Sequence, residues 1–368
     1  MVINYCMEYF RRNTKKLWVK DVAVGGNAPI VVQSMNNTDT RDIEATLAQI
    51  EDLAAAGCEV TRVAVPDQAA ADALKAIVER SPLPVIADIH FQAELALQAL
   101  TSGVAGLRIN PGNIGSEQRV KEIAIKALEK GIPIRIGVNS GSLDPEIRDR
   151  MGGVNADSMV ASVLKFCKML EQYDFYDICV SIKASDPKLT IDSYRKLSRE
   201  IDYPLHLGVT EAGTPREGIV RSAVGIGTLL AEGIGDTIRV SLTADPVLEV
   251  ETAYSILKSL GLRSKGALLI SCPTCGRTEV DLQGLAEQVE ILLADVREPI
   301  KVAVMGCPVN GPGEAREADC GIAGGRNTFS IFRNGKVVEK VSQENALSVL
   351  IREIEIARNK YIQAHQEN

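Results

Sequence analysis

From Ile30 to Pro246 the chain repeats one pattern eight times: a short apolar run rich in β-branched residues, a polar or glycine-containing end, then a stretch of helical periodicity. The runs are PIVVQSM, EVTRVAVP, PVIADIHF, AGLRINPG, IPIRIGVN, DICVSIKA, PLHLGVTE and DTIRVSLT. The segments between them, such as RDIEATLAQIEDLAAAG and SEQRVKEIAIKALEKG, place apolar residues at three- and four-residue intervals and read as amphipathic helices. Strand alternating with helix forces parallel strands, and eight of them close a TIM (β/α)8 barrel. An open doubly wound sheet is the rival architecture, but no glycine fingerprint follows the first strand. Ahead of the barrel, TKKLWVKDVAVGGNAPI reads as a hairpin whose VGGN supplies the turn, placed as a plug on the barrel floor.

After the helix DPVLEVETAYSILKSLG the pattern changes to LLISCPTCGRTEVD, then KVAVMGCPVNGPGEAREADCGIAGG, then TFSIFRNGKVVEKV and a closing helix. The NG between two alternating apolar runs is a two-residue hairpin signal. Residues 1–261 are therefore expected to form the barrel domain with its N-terminal hairpin, and residues 262–368 a smaller α+β domain.

Composition narrows the picture. A length of 368 residues suits a barrel of roughly 250 residues plus a second domain. With 45% hydrophobic and 24% charged residues the chain is ordinary globular protein, not a disordered one. A net charge of -7 works against sequence-independent nucleic-acid binding, so any anion site must be a local cluster. The first residues lack an apolar core followed by small residues, and no run of eighteen apolar residues occurs, so the expected setting is cytoplasmic, without membrane association. In that setting eight cysteines read as reduced thiols or metal ligands rather than disulfides.

Cys272 and Cys275 form a CxxC, and Cys307 opens the loop GCPVNGPGE, which ends at Glu314. Soft thiolates stabilise iron–sulfide units, and a Gly-rich loop lets backbone N–H groups approach inorganic sulfur, so the set suits an iron–sulfur cluster. A carboxylate at Glu314 would be a displaceable fourth ligand that opens one iron to substrate. The competing reading is a closed zinc site completed by Cys320; the histidines, His90 and His206 on strands and His365 near the end, supply a Cys₃His site poorly. Cys58, Cys167 and Cys179 read as small buried hydrophobes, and Cys6 carries no signal.

On the barrel, polar and charged residues interrupt strands that should be apolar: Arg62, Asp88, His90, Arg108, Asn110, Arg135, Asn139, Lys183, His206, Glu211, Arg239 and Ser241. Outward-pointing charges would be trapped under the helix ring, so these side chains must face the barrel interior or its carboxyl end, where such folds keep their active sites. Four arginines and a lysine facing two or three carboxylates cannot all be paired internally, which points to an anion pocket. Guanidinium forks suit phosphate oxygens, and five cations suit a diphosphate.

Those two constellations carry a resemblance. APIVVQSM, ADIHF, LRINPGNIG, IPIRIGVNSGSL, SIKASD, PLHLGVTEAG, EGIGDTIRVSLTADP, CPTCGR and GCPVNGPGE, spread over nearly the full length, resemble the 4-hydroxy-3-methylbut-2-en-1-yl diphosphate synthase family in its bacterial two-domain form. The resemblance implies a substrate, 2-C-methyl-D-erythritol 2,4-cyclodiphosphate, opened and reduced by two electrons with loss of water on the methylerythritol phosphate route to isoprenoids. It implies a [4Fe–4S] cluster held by Cys272, Cys275, Cys307 and Glu314. Substrate-binding roles fall to Arg62, His90, Arg108, Asn110, Arg135, Asn139, Lys183, Arg239 and Ser241, and Asp88 and Glu211 match carboxylates near the reacting carbons. Glu211 is then the candidate proton donor, with Asp88 orienting it or a neighbour. Cys320 stands where the family pattern has no cysteine.

No GxGxxG follows a strand, so reduced flavodoxin or ferredoxin is the expected electron donor. A hydro-lyase using the cluster only as a Lewis acid is the alternative enzyme class, and a zinc-stabilised scaffold the non-enzymatic one. The helix after the eighth strand returns the chain to the barrel floor, and GLRSKGALLI is too short to carry the cysteines to the opposite face. That predicts a homodimer whose active site is shared between subunits.

Overall fold

The computed structural model describes residues 10–110, 114, 116–263, 265–307, 315–326 and 328–366. The chain divides into two compact units, Met1–Arg263 and Ser264–Asn368.

The first unit opens with a hairpin of β1 (Leu17–Val19) and β2 (Val22–Val24), antiparallel with Val19 opposite Val22. Its turn is Lys20–Asp21, with Lys20 left-handed at φ 57°, and not VGGN as the sequence suggested. VGGN instead turns the chain from β2 toward the barrel. A Cβ on Gly25 (φ 78°) would lie 2.3 Å from the Lys15 carbonyl oxygen, so glycine is required there. Leu17, Val19 and Val24 pack against Val31, Val60, Ile86 and Cys179, which lie at the starts of barrel strands. The hairpin therefore plugs the floor, as its apolar alternation required.

All eight expected strands form: β3 (Val31–Met35), β4 (Val60–Ala64), β5 (Val85–Ile89), β6 (Gly106–Ile109), β7 (Ile134–Asn139), β8 (Ile178–Lys183), β9 (His206–Leu207) and β10 (Thr237–Ile238). They pair in parallel in the order β8-β7-β6-β5-β4-β3-β10-β9, and a Val180–Leu205 bridge joins the ends, closing the barrel. Helix starts follow local chemistry. Four helices begin at Pro145, Pro187, Pro215 and Pro246, where a missing N–H leaves nothing unsatisfied. The helix Gln68–Arg80 is capped by Asp67, which accepts from the Ala70 N–H, and buries Ala70, Leu74 and Ile77 at helical spacing. The last barrel helix, α1 (Pro246–Ser259), follows β10.

The second unit is a five-stranded sheet in the order β11 (Leu268–Ser271), β12 (Lys301–Met305), β13 (Cys320–Gly325), β14 (Thr328–Arg333) and β15 (Lys336–Ser342). The first three strands run parallel and the last two complete antiparallel pairs. Helices α2 (Leu282–Leu293) and α3 (Gln343–Gln366) cover it, with Val289, Leu293, Leu350 and Ile354 in the core. Asn334 (φ 47°) and Gly335 (φ 72°) make the tight turn that NG foretold. The strand β13 was not foreseen. Its CGIAGG works because glycine permits close approach: a Cβ on Gly321 would sit 2.4 Å from the Ala303 carbonyl oxygen. Cys320 starts this strand and is fully buried. Among the described residues no helix is long and apolar enough to cross a membrane.

Candidate active site

The barrel strands bring their charged residues together inside the first unit. Asp88, on β5, is the hub: Arg108 Nη1 lies 3.0 Å from its Oδ1, Arg62 Nε 3.5 Å from its Oδ2, and His90 Nε2 3.6 Å from Oδ1. Arg62, Asp88 and Arg108 are buried, whereas the His90 side chain is half exposed. Arg135 lies deeper. It donates to Gln33 Oε1 and lines a cavity of about 30 Å³ with Leu17, Val19 and Val24 of the plug. Lys183, the last residue of β8, is buried, and a Cβ on Gly208 would come within 3.3 Å of its Nζ. Arg239 follows β10 and reaches Glu249 of α1, Nη2 to Oε2 3.4 Å. Asn110 is buried just after β6, while Asn139 and Ser241 are half-buried.

Charge is unbalanced here. Among the described residues five cations, Arg62, Arg108, Arg135, Lys183 and the half-buried Arg239, gather with two buried carboxylates, Asp88 and Glu249, while the barrel's other buried carboxylate, Asp236, is paired with Arg11. Burial, opposed by Asp88 and reinforced by Arg135, Arg239 and Arg108, holds Arg62 well below its ordinary range. Burial and the same ring of arginines do so for Lys183, and burial brings Arg135 down to about 10. Burial penalises the Asp88 charge, yet Arg62, a hydrogen bond with His90, and Arg108 together hold its carboxyl well below the usual range. His206 is fully buried and kept neutral by burial and by Arg135 and Lys183. Among the described residues Arg108 Nε, Arg135 Nε and Nη2, Arg239 Nε and His206 Nε2 have no hydrogen-bond partner. Buried donors without acceptors are costly, and an anion with several oxygens would satisfy them.

Asp88 and Glu211 stand in different surroundings. Asp88 touches two arginines and His90, the neighbours it orients. Glu211 is exposed beyond β9 in a left-handed conformation, φ 53°. A non-glycine residue there costs about 1–2 kcal/mol, a strain typical of functional loops.

Several contributors carried no signal in the sequence. Glu249 sits on a helix that looked purely amphipathic. Met35 offers its thioether to Arg62 (Nη2 to Sδ 2.9 Å) and Arg239 (Nη1 to Sδ 3.7 Å). Gly137 leaves room for Arg108: a Cβ there would lie 2.4 Å from its Nε. The strand position of Gly137, between two inward-facing polar residues of β7, was the only available hint.

In the second unit β11 and β12 are parallel with Ser271 opposite Val304, so Cys272 and Cys307 follow the carboxyl ends of neighbouring strands. The Gly306 N–H donates to Cys272 Sγ at 3.2 Å. Cys275 is exposed, and hydrogen bonds from the Arg277 backbone and side chain hold its thiol below the ordinary value. Backbone and guanidinium donors aimed at sulfur are what thiolate ligands need, so this donor set fits a metal–sulfur group. The described residues alone bring no three His, Cys, Asp or Glu side chains into a metal-holding group. Glu314 lies outside the described residues, as does Cys6. Cys320 pairs with Val302 at the opposite end of β12, five residues or about 16 Å from Cys307 along the strand. Burial pushes its thiol up to about 12. A four-cysteine zinc site using Cys320 is therefore not assembled. Burial likewise pushes Cys58, Cys167 and Cys179 up to about 12, which agrees with inert packing roles. His365 is exposed on α3, its Nδ1 2.8 Å from the Tyr361 carbonyl oxygen.

Comparison with known proteins covers both units. The GcpE TIM-barrel domain matches residues 14–254, and the GcpE protein C-terminal domain matches residues 268–356. The chain is 56% identical over 345 residues to the 4-hydroxy-3-methylbut-2-en-1-yl diphosphate synthase (flavodoxin) of Geobacter sulfurreducens, covering 94% of this chain and 98% of that one. It is 54% identical over 344 residues to the protein of the same name from Clostridium tetani, covering 94% and 99%. The Geobacillus kaustophilus protein of that name is 51% identical over 358 residues, covering 97% and 96%. With both domain types matched in order and relatives this similar along almost their whole length, the chain belongs to the GcpE family of 4-hydroxy-3-methylbut-2-en-1-yl diphosphate synthases.

Proposed function

We propose that this chain converts 2-C-methyl-D-erythritol 2,4-cyclodiphosphate to 4-hydroxy-3-methylbut-2-enyl diphosphate, a step of isoprenoid precursor synthesis in the cytoplasm. Two electrons and two protons enter, the ring opens, and one water leaves. The observation that carries this reading is the excess of cations over carboxylates in the barrel pocket, with buried donors that have no acceptor among the described residues. Arg62, Arg108, Arg135, Lys183 and Arg239 neutralise the diphosphate, and His90, Asn110, Asn139 and Ser241 add hydrogen bonds at the mouth. Asp88 holds Arg62, Arg108 and His90 in place through the contacts described above. Glu211, exposed and strained beyond β9, is the proton donor or the electrostatic partner of the reacting carbons.

A [4Fe–4S] cluster held by Cys272, Cys275, Cys307 and Glu314 supplies single electrons when bound. The Gly306 N–H on Cys272 and the Arg277 donors on Cys275 support thiolates at these positions. Reduced flavodoxin is the electron donor, following the names of the relatives, and ferredoxin is a soluble carrier of the same kind.

The active site is completed by a second copy of the chain. Arg263, where the first unit ends, donates to the Ile30 carbonyl at 2.8 Å and pairs with Glu59, both at the starts of strands and so on the floor side. From there to Cys272 nine residues span at most about 30 Å. Mixing inactive Cys307→Ser chains with inactive Arg239→Ala chains should restore roughly a quarter of wild-type activity after random exchange, since half the dimers then hold one intact site of two. A mixture that stays inactive despite proven exchange contradicts the shared site. For the reaction itself, anaerobic protein should turn over the cyclic diphosphate only with reduced flavodoxin. Turnover without any reductant would show a hydro-lyase instead.

A further inference from the structure

Glu249 occupies a position where a helix packed on a barrel ordinarily places an apolar side chain. It is the fourth residue of α1 and only 3% exposed. A buried carboxylate costs several kcal/mol unless its oxygens are satisfied, and an apolar residue of similar volume would pack there without that cost. Its contacts explain what is gained. Oε1 accepts from the Leu242 N–H at 2.9 Å, Oε2 accepts from Ser34 Oγ at 3.2 Å, and Arg239 Nη2 lies 3.5 and 3.4 Å from the two oxygens.

We propose that Glu249 is the positioning residue of the diphosphate pocket, holding Arg239 and the Ser241 loop in the geometry that receives the substrate's phosphate oxygens. This rests on the reading that the barrel binds the cyclic diphosphate. The contact lengths decide the role. The Leu242 and Ser34 bonds are ordinary ones that anchor the carboxylate to β3 and to the residue after Ser241. The Arg239 contact is longer than a strong guanidinium–carboxylate pair, about 2.7–2.9 Å. It restrains the guanidinium without saturating it: Nε has no partner and Nη1 rests on the Met35 thioether, a weak acceptor that phosphate oxygen outcompetes. Asp88 treats Arg108 differently, at 3.0 Å, and so fixes the other side of the pocket more tightly.

Glu249→Gln tests this, because the amide oxygen still accepts from Leu242 while the charge opposite Arg239 is gone. Calorimetry of the full chain with the cyclic diphosphate should show a Kd about tenfold weaker than wild type. In turnover, KM should rise by a similar factor with kcat within twofold. In an Arg239→Ala background the same substitution should change Kd less than twofold, a coupling that a purely structural role would not produce. Equal losses in both backgrounds, or unchanged or tighter binding by Glu249→Gln, overturn the proposal. If Glu249→Gln does not fold, Ser34→Ala removes one bond that orients the carboxylate and should raise Kd two- to threefold only while Arg239 is present. Failure of the wild-type chain to bind the cyclic diphosphate would instead refute the reading of the pocket, leaving the two failures distinct.

Discussion

The barrel and the cysteine loops solve opposite problems. In the barrel, charged side chains grow from strands whose positions are fixed by a closed hydrogen-bonded ring, and the pocket is held by buried carboxylates, glycine gaps and a plugged floor. In the second unit Cys272, Cys275 and Cys307 stand on loops just beyond two parallel strands, with Cys275 exposed. A pocket that must recognise a fixed distribution of phosphate oxygens benefits from preorganised cations, whose desolvation is met before the substrate arrives. A site that must accept an inorganic group gains from loops that can close around it. The difference teaches that, on the proposed roles, substrate binding in the barrel and electron delivery from the cysteine loops should be separable.

The largest expected effect follows from that separation. Cys307→Ser should abolish reductant-dependent turnover, by at least a hundredfold, while leaving the substrate Kd within threefold of wild type by calorimetry. A parallel loss of binding would show that the two units are not independent. Next in size, Arg108→Ala should weaken substrate binding by more than tenfold, since it removes a charge-assisted contact and frees Asp88 inside the pocket. Iron content, read by absorbance and metal analysis, should not change.

Lys183 sharpens the comparison through stability. Its folded value is depressed, so between that value and 10.5 the unfolded chain binds more protons than the empty folded barrel, and stability rises with pH across that window. His206 acts in the same direction below 6.5, where the unfolded chain gains a proton that the buried ring resists. Replacing Lys183 by Met should therefore raise the melting temperature of the substrate-free protein at neutral pH by about 2–4 °C for each kcal/mol relieved, while weakening diphosphate binding. Scanning calorimetry that finds Lys183→Met less stable at every pH would remove the claim that the pocket is under charge strain. The smallest effect belongs to Cys320→Ser. It should leave a full complement of iron and cost only about 1–2 kcal/mol of stability from burying a hydroxyl. Iron loss as severe as in Cys307→Ser would contradict the ligand assignment.

Much of the barrel was legible because each strand and helix carries its own period, and because charges such as Arg62, Arg108 and Lys183 break apolar runs where only an interior face can accept them. What the sequence hid was set by partners distant in the chain. Glu249 gives no local sign that it faces Ser34, and Met35 reads as one more apolar residue of a strand. The hairpin turn was misplaced because VGGN offers the stronger turn chemistry, yet its glycines serve the close approach to Lys15 and Lys16. β13 escaped because glycines usually mark loops, whereas here their missing side chains let Phe332 and Ala303 pack against the strand. For Asp88 the sequence offered either Glu211 or a neighbour as the group it orients, and the contacts to Arg62, Arg108 and His90 depend on strands far apart in the chain.

The division of labour between the two units is tested most directly by measuring substrate affinity and iron content side by side for Cys307→Ser and Arg239→Ala. The expected result is a double dissociation. Cys307→Ser loses iron but binds the cyclic diphosphate like wild type, and Arg239→Ala keeps its iron but binds at least tenfold more weakly. If either variant loses both properties while remaining folded, or if Arg239→Ala binds normally, the barrel is not the diphosphate site described here.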